Sequence, residues 1–307
     1  MKCVLGIDGG GTKTECVAWN DAGAVLARGR GPASNPTRIG FPAAFEALRE
    51  TINSAAKSAG VPFDVVALCA GLAGTGRPEN REQMQTFLQR QFPDAIVDVR
   101  TDLELVLSAM PGGPAVALVV GTGSAAIGRD ASGTVKREGG FGPASSDEGS
   151  AFDIGRNAIA ASRAEDSAAA SELSRQILRH LGCPTWAEVD AKSIAAADAV
   201  YPRVFPVVAA AADAGNALAQ SLLKNAAETL AGITWHLAES LKISQQKFPL
   251  GKTGGTIGRS RFFDQAIDLA LQRRLPNTII HPLSVQPAEV AAGIALQLYE
   301  IREGRAQ

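Results

Sequence analysis

Three consecutive glycines near the start of the chain lie in a segment whose residue types suit phosphate binding. Residues 8–14 are Asp-Gly-Gly-Gly-Thr-Lys-Thr. Glycine lets backbone N–H groups approach a phosphate closely, and the threonine hydroxyls add donors. Asp8 could hold Mg²⁺ through water, because this ion gives up its hydration shell reluctantly. A hairpin without a ligand is the alternative, but three glycines destabilise an ordinary turn, so the pattern favours phosphate.

A second glycine-rich turn, Gly-Thr-Gly-Ser at residues 121–124, has a similar context. Each turn follows an apolar run, precedes another apolar stretch, and is followed by a polar hairpin turn at 21–23 or 130–133. The Gly-Thr-Gly-Ser motif alone is weak evidence of phosphate binding, because it occurs in many loops. The repetition indicates a duplicated domain, and two such turns facing each other across a cleft could grip one polyphosphate.

Asp102 ends the tripeptide Arg-Thr-Asp after a predicted strand at residues 96–100. An aspartate at the carboxyl end of a strand is well placed to accept a proton from a hydroxyl nucleophile. Aspartate also caps helices very often, and a predicted helix begins at the next residue. The spacing alone therefore favours a helix cap.

Two glycine-containing segments of the second half are further candidates. Phe141 lies among the glycines of residues 139–142, which suits a loop lying against a sugar ring, and Asp147 precedes a helix that it could instead cap. Residues 251–255 resemble a P-loop, but the upstream glycine that this motif requires is replaced by Gln246. The remaining functional interpretation is a glycine turn near adenine.

The composition excludes several classes of protein. With 307 residues, 46% hydrophobic and 20% charged, the chain is long enough for two globular domains. A net charge of −1 gives no support to binding of nucleic acid or anionic membranes. We expect a cytoplasmic protein, because no secretion signal or run of ~18 apolar residues is evident. The four cysteines are scattered without CxxC pairing, which favours small buried hydrophobes over disulfides or metal ligands.

Hydrophobic periodicity predicts the elements that must position these residues. The predicted strands are residues 3–7, 15–19, 24–27, 65–70, 96–100, 115–120, 125–127 and 278–280. The predicted helices are residues 42–59, 79–92, 103–110, 261–271 and 287–301, and the segment 151–241 is mainly helical. The clearest break is Pro-Gly-Gly-Pro at residues 111–114.

The order of the motifs resembles a known family. The series DGGGTKT, Arg-Thr-Asp, GTGS and GGFG followed by DEGSA is similar to that of the N-acetylglucosamine kinases and the related BadF/BadG/BcrA/BcrD-type ATPases. These belong to the actin/Hsp70/sugar-kinase superfamily, and the resemblance covers essentially the whole chain. It implies an α/β fold with two ribonuclease-H-like domains, each containing the duplicated three-strand meander, and an interdomain cleft. The domains would be residues 1–113 plus 288–307, and 114–287.

The resemblance also implies roles for individual residues. Asp102 would be the catalytic base, which reverses the preference for a cap, and Asp8 would hold Mg²⁺. The nucleotide-binding positions would be Asp8, Gly10, Gly11, Thr12, Lys13, Thr122, Gly123, Gly254 and Gly255. The sugar contacts would be Asn35, Gly140, Phe141 and Asp147. Two departures stand out, since Lys252 and Thr253 interrupt the apolar strand expected near adenine, and Phe141 replaces a tryptophan of the animal enzymes.

The implied activity is phosphoryl transfer from ATP, with Mg²⁺, to the 6-hydroxyl of a hexosamine, and the family suggests a homodimer. One alternative is an ATPase activator of the 2-hydroxyacyl-CoA dehydratase type, which needs bridging Fe–S cysteines at a spacing that this chain lacks. Another is a non-catalytic sensor of ATP or sugar on the same fold, against which the presence of Asp102 argues. The sequence leaves the acceptor open among N-acetylglucosamine, glucosamine, N-acetylmannosamine and an N-acetylmuramic-acid-like sugar.

Overall fold

A computed structural model describes residues 2–60, 62–142, 146–164 and 168–305 of the chain. The chain divides into two compact units, Met1–Ala109 with Val285–Gln307, and Met110–Ser284. We call them unit 1 and unit 2. Each contains one five-stranded mixed sheet with helices, which confirms the predicted α/β class. The domain limits predicted at residues 113/114 and 287/288 stay a prediction.

The sheet of unit 1 begins with the meander that the sequence predicts. Its order is β3-β2-β1-β4-β5, with β1, β2 and β3 antiparallel and β4 and β5 parallel to β1. The strands are β1 Lys2–Gly9, β2 Lys13–Trp19, β3 Val25–Pro32, β4 Asp64–Leu72 and β5 Ile96–Arg100. Because β1, β4 and β5 run in the same direction, their carboxyl ends lie at one edge of the sheet.

Helices cover the sheet of unit 1, and the last of those that the structure describes packs directly on β1. The helices are α1 Pro36–Ile39, α2 Phe41–Ala59, α3 Pro78–Gln91, α4 Asp102–Ser108 and α11 Pro287–Arg302. A Cβ atom on Gly6 of β1 would lie 2.1 Å from the Ala288 carbonyl oxygen and 2.2 Å from the Ala292 nitrogen. Glycine in β1 and alanines in α11 therefore let the two backbones approach directly. Helix α11 therefore packs with the N-terminal part of the chain.

The sheet of unit 2 repeats this topology. Its order, β10-β9-β6-β7-β8, again places an antiparallel three-strand meander beside two parallel strands. The strands are β6 Ala115–Val120, β7 Ser124–Arg129, β8 Val135–Gly139, β9 Pro249–Thr253 and β10 Ile279–Pro282. Strand β9 is absent from the sequence-based prediction because Lys252 interrupts its apolar pattern. The structure buries Lys252 to 4% exposure and pairs its ammonium group with Asp268, so that the strand continues.

Unit 2 buries its sheet under a larger set of helices. They are α5 Ala151–Ala164, α6 Ala168–Leu181, α7 Trp186–Val200, α8 Phe205–Asp213, α9 Ala217–Ser240 and α10 Arg261–Arg274. Helix α9 packs into the core through Leu223, Leu230 and Leu237. Within the described residues, one helical stretch, 186–213, is apolar and long enough to cross a membrane by composition alone. One such stretch does not indicate a membrane span, because the core helices of soluble proteins meet the same criteria of length and composition.

The contact at Gly6 gives a first prediction. Gly6→Ala should lower the free energy of unfolding by about 3 kcal/mol or more, because the new methyl group meets backbone atoms that cannot rotate away. Urea unfolding measures this effect. Gly232→Ala is the matched control, since nothing lies within 4 Å of its added Cβ, and alanine there should stabilise α9 by up to about 1 kcal/mol. Equal midpoints for the two variants would contradict the proposed tight packing.

Candidate active site

The strand register brings the predicted residues of unit 1 to one edge. Asp8 in β1 is aligned with Gly71 in β4, and Gly71 is aligned with Arg100 in β5. The glycine turn after Asp8, the loop after β4 and Asp102 therefore leave the sheet at the same level. This is where ligands bind in open α/β sheets, outside the carboxyl ends of parallel strands.

The glycine turn is fastened on three sides by hydrogen bonds. The Gly10 nitrogen donates to the Lys13 carbonyl oxygen at 3.0 Å, which closes the turn. The Ser34 nitrogen donates to the Gly10 oxygen at 3.1 Å, and the Ala73 nitrogen donates to the Gly9 oxygen at 2.8 Å. Within this rigid frame, Gly11 and Thr12 remain exposed. The arrangement leaves the outer face of the turn accessible to a ligand.

Lys13 is directed toward the carboxylate of Glu15. Its ammonium nitrogen lies 2.8 Å from Glu15 Oε1, and Arg30 lies 3.2 Å from the same oxygen. The hydrogen bond from Lys13 holds the pKa of Glu15 below its usual value. This ion pair can form without a bound nucleotide. The nucleotide-binding role of Lys13 stays a prediction.

Asp8 is the most strongly perturbed carboxyl group of unit 1. Burial raises the pKa of Asp8 to about 6, and the negative charges of Asp102 and Glu15 add to the increase. The positive charge of Lys13 partly offsets it. Ionised Asp8 therefore carries an unfavourable charge at neutral pH that a bound cation would relieve.

The helix that begins after β5 has a different cap from the one that spacing favours. Thr101 is the N-cap of α4: its hydroxyl oxygen accepts from the Glu104 nitrogen at 3.1 Å, and Glu104 Oε2 accepts from the Thr101 nitrogen at 2.6 Å. Arg81 lies 2.8 Å from Glu104 and supports this capping box. The preference for Asp102 as the cap is wrong, because Asp102 is the first residue inside the helix.

Asn35 lies beside the loop that follows β4, which was not among the segments predicted to form the site. Its side-chain oxygen caps the one-turn helix α1 by accepting from the Thr37 nitrogen at 3.0 Å. A Cβ atom on Gly74 would lie only 2.3 Å from that oxygen, so glycine is needed for the approach. The hydroxyl of Thr75 donates to the Leu72 carbonyl at 2.7 Å and lies 3.1 Å from the Arg100 carbonyl. The run Gly-Leu-Ala-Gly at the end of a buried strand was the available sequence signal.

The Gly-Thr-Gly-Ser turn of unit 2 is joined to the start of α5. The Gly121 nitrogen donates to the Gly123 oxygen at 2.8 Å. The Ala151 nitrogen donates to the Gly121 oxygen at 2.9 Å, and the Phe152 nitrogen donates to the Thr122 oxygen at 3.2 Å. Thr122 itself is exposed at the tip of the turn. The backbone of the turn is thus fixed, and its hydroxyl group remains accessible.

Asp147 connects two of the predicted site segments within unit 2. Its carboxylate accepts backbone hydrogen bonds from Ser124 and Gly142, while burial raises its pKa. A Cβ atom on Gly123 would lie 2.8 Å from Asp147 Oδ2, so only glycine allows this contact. At the start of α5, the Ser150 hydroxyl oxygen accepts a hydrogen bond from the Asp153 nitrogen at 3.3 Å. The contacts of Asp147 are therefore loop contacts, and its role toward a sugar stays a prediction.

The glycine loop after β8 presents an aromatic ring to solvent. Phe141 is 59% exposed, and its backbone nitrogen donates to Ser146 Oγ at 2.8 Å. The guanidinium carbon of Arg137 lies 4.3 Å from the centre of the ring. Gly140 has a φ of 74°, a left-handed conformation that favours glycine. The ring is accessible to a ligand, as a sugar contact requires.

The turn after β9 lies beside the Gly-Thr-Gly-Ser turn. A Cβ atom on Gly254, whose φ is 115°, would lie 2.3 Å from the Val120 carbonyl oxygen. That oxygen also accepts from the Thr256 nitrogen at 3.1 Å. The Cβ position of Gly121 lies 3.7 Å from the Gly255 nitrogen. Unit 2 therefore brings the residues predicted to bind nucleotide, from both turns, to one edge of its sheet.

The donor set of unit 1 fits a magnesium ion better than a protein-enclosed metal. Among the residues that the structure describes, no group of three or more histidine, cysteine, aspartate or glutamate side chains could hold a metal. Mg²⁺ is usually held by one or two carboxylates together with substrate phosphates and water. Asp8, whose carboxylate interacts with Asp102, supplies such a set.

Comparisons with known proteins agree with this geometry. The profile of the BadF/BadG/BcrA/BcrD ATPase family matches residues 5–295. The chain is 26% identical to an N-acetyl-D-glucosamine kinase of Dictyostelium discoideum over 95% of its own length and 97% of that protein. It is 32% identical to an N-acetylmuramic acid/N-acetylglucosamine kinase of Clostridium acetobutylicum over 52% of its length and 53% of that protein.

A solved structure shares the fold over nearly the whole chain. It comes from Chromobacterium violaceum and is provisionally named an N-acetylglucosamine kinase. The two structures superpose with a TM-score of 0.75 at 25% identity, covering 97% of this chain and 99% of the other. The likeness supports the two-unit fold with two five-stranded sheets.

The raised pKa of Asp8 gives a prediction about stability. A carboxyl group with a native pKa near 6 and an unfolded value of 3.8 stabilises the fold most below pH 3.8, and this contribution is lost as the pH rises through 6. Asp8→Asn should therefore raise the free energy of unfolding by about 3 kcal/mol at about pH 8 without metal, and the gain should vanish toward about pH 4. Urea unfolding in a chelating buffer measures it.

Magnesium provides the second part of this test. The wild-type protein should be stabilised by added Mg²⁺ at about pH 8, whereas Asp8→Asn should show little response, because the carboxylate that relieves the charge is missing. A variant that is no more stable than the wild type at high pH would contradict the assignment of an unfavourable buried charge to Asp8.

Proposed function

Because the chain belongs to the BadF/BadG/BcrA/BcrD ATPase family, we propose that this phosphotransferase transfers the terminal phosphoryl group of ATP to the 6-hydroxyl of an amino sugar. The observation that carries the proposal is the edge of unit 1, where Asp8 and the glycine turn lie at the end of β1 and Asp102 follows β5, two parallel strands on either side of β4. The names of the relatives, which include kinases of N-acetylglucosamine, support a hexosamine as the acceptor.

Asp102 is proposed to accept the proton of the acceptor hydroxyl. Its backbone is fixed by the Thr101–Glu104 capping box, and its Oδ1 accepts a hydrogen bond from the Leu103 nitrogen at 3.0 Å. A general base must lie within hydrogen-bond reach of the proton that it removes. The rigid start of α4 supports this role because it restricts where the carboxylate can move.

Asp8 is proposed to hold Mg²⁺, whose positive charge offsets the charge of the phosphates when bound. Phosphoryl transfer depends on positioning and electrostatics more than on covalent chemistry by the protein. The turn at Gly10, Gly11 and Thr12, of which Gly11 and Thr12 are exposed, would contribute backbone and hydroxyl donors to phosphate oxygens. In unit 2, Thr122 and Gly123 are proposed to bind phosphate.

The remaining assignments concern the sugar, the adenine and the assembly. Asn35, Gly140, Phe141 and Asp147 are proposed sugar contacts, and Gly254 and Gly255 are proposed to lie near adenine. All four cysteines are buried, which gives no support to an activator with a bridging iron–sulfur cluster. A homodimer and a cytoplasmic location remain expectations from the sequence.

Release of ADP over a panel of acceptors tests the activity. Incubation with Mg·ATP and N-acetylglucosamine, glucosamine, N-acetylmannosamine or N-acetylmuramic acid should give ADP in amounts that depend on at least one of these sugars. The 6-deoxy form of the best acceptor is the matched control and should give none, because it lacks the proposed hydroxyl. Tight binding of ATP and sugar without turnover would favour a sensor, and turnover of the 6-deoxy sugar would exclude O6.

The proposed base gives a separate prediction. Asp102→Asn should lower kcat by about 10²–10⁴-fold, because the amide cannot accept the proton, while the dissociation constants of nucleotide and sugar change by only a few-fold. Steady-state kinetics and calorimetry measure the two effects. Asp94→Asn, at an exposed turn, is the control and should behave as the wild type. Substantial activity in Asp102→Asn would show that another group accepts the proton.

A further inference from the structure

A cationic side chain lies against the outer face of the glycine turn, and it is not the lysine of the motif. Arg38 follows Asn35 in the one-turn helix α1. A Cβ atom built on Gly11 would lie 3.1 Å from Arg38 Nη1 and 3.6 Å from Arg38 Cδ. The guanidinium therefore lies next to the exposed turn, and a larger side chain at position 11 would displace it.

The backbone beneath Arg38 is fixed by the same residues that hold the turn. The Arg38 nitrogen donates to the Asn35 oxygen at 3.1 Å, and Asn35 itself caps α1. Ser34, one residue earlier, binds both the Gly10 oxygen and the Thr14 hydroxyl. Arg38 thus extends from a segment whose position relative to Gly11 is set by hydrogen bonds.

Two further cations of unit 1 are paired with one carboxylate near the turn. The Lys13 ammonium is bonded to Glu15, and Arg30 shares that carboxylate. Arg38 is exposed, and its position over Gly11 places its charge beside the surface on which a phosphate would lie.

Guanidinium suits this position chemically. Its planar fork of N–H donors matches the oxygens of a phosphoryl group, and it stays charged at every physiological pH. A fixed cation that meets the charge developing in phosphoryl transfer lowers the barrier without reorganisation during the reaction.

We propose that Arg38 is a catalytic residue that donates hydrogen bonds to the phosphoryl group being transferred, an inference that rests on the proposed kinase activity. In the transfer, the sugar oxygen bonds to phosphorus as the bond from phosphorus to the bridging oxygen of ADP breaks, and the hydroxyl proton passes to Asp102. Arg38 binds the same phosphoryl oxygens on ATP before the step and on the sugar phosphate after it, and is not consumed.

Nucleotide binding without turnover provides the first experiment. Calorimetry with Mg²⁺ compares ADP with the non-hydrolysable analogue adenylyl imidodiphosphate, which differ in the terminal phosphoryl group. Arg38→Ala should weaken binding of the analogue about tenfold and binding of ADP less than about threefold. Arg38→Lys should lie between, because it keeps the charge and loses the fork. Arg49→Ala is the matched control, since Arg49 is exposed on α2 and pairs with Glu46 at 2.7 Å.

Kinetics provide the second experiment. Arg38→Ala should lower kcat about 10²-fold, and added methylguanidinium should restore part of the loss, which a purely structural role would not allow. Unchanged thermal unfolding of the variant would establish that the fold is retained.

The outcomes separate this inference from the kinase proposal. Equal affinity of Arg38→Ala and Arg49→Ala for the analogue would overturn the role of Arg38 even if the enzyme phosphorylates a hexosamine. Selective loss of analogue binding would support Arg38 as a phosphoryl contact even if no hexosamine is phosphorylated. Failure of the wild type to bind either nucleotide would overturn both.

Discussion

Parallel pairing of strands in register is the constraint on which the site depends. Asp8, Gly71 and Arg100 are aligned across β1, β4 and β5, so that three loops begin at the same level of unit 1. A shift of one residue would turn each side chain to the opposite face and separate these groups. Unit 2 obeys the same rule, because Val119 is aligned with Thr253 and the two glycine turns follow directly. Packing of α11 against Gly6 fixes β1, the central strand of the sheet of unit 1.

Collecting carboxylates at one edge has an energetic cost that the proposed function would explain. A rise in the pKa of Asp8 from 3.8 to about 6 corresponds to roughly 3 kcal/mol of destabilisation when the group is ionised. Folding alone would favour a neutral side chain at this position. A site that binds Mg²⁺ and a polyphosphate needs the charge, because cation and carboxylate then neutralise each other. The unfavourable charge of the ligand-free protein is therefore a sign of a binding site, as perturbed pKa values often are.

The sequence could predict the repeated architecture and most of the motif positions, because local patterns determine them. The glycine turn and Gly121–Ser124 counterpart, with the polar turns after them, are readable from residue types alone. The structure confirms the duplicated meander that follows from them. Strand β9 escaped prediction, because Lys252 is buried only through a long-range pair with Asp268. The Thr101 cap was missed since two adjacent residues both suit capping, and only hydrogen-bond geometry separates them.

Contacts between distant segments could not be predicted from the sequence, because they depend on how hydrogen-bonded loops position the intervening chain. Gly123 and Asp147 meet because a hydrogen-bonded loop brings the carboxylate to the turn, and Arg38 meets Gly11 because Ser34 and Asn35 fix the intervening chain. In both cases the sequence shows the glycine motif, but it does not show which side chain contacts that motif. The partners differ in charge: Asp147 is bonded to backbone donors, whereas Arg38 presents a cation. The duplicated turn is thus one backbone design with two electrostatic surroundings. The proposed chemistry of phosphoryl transfer would take place at unit 1, where Asp8 precedes the turn and Arg38 lies against Gly11.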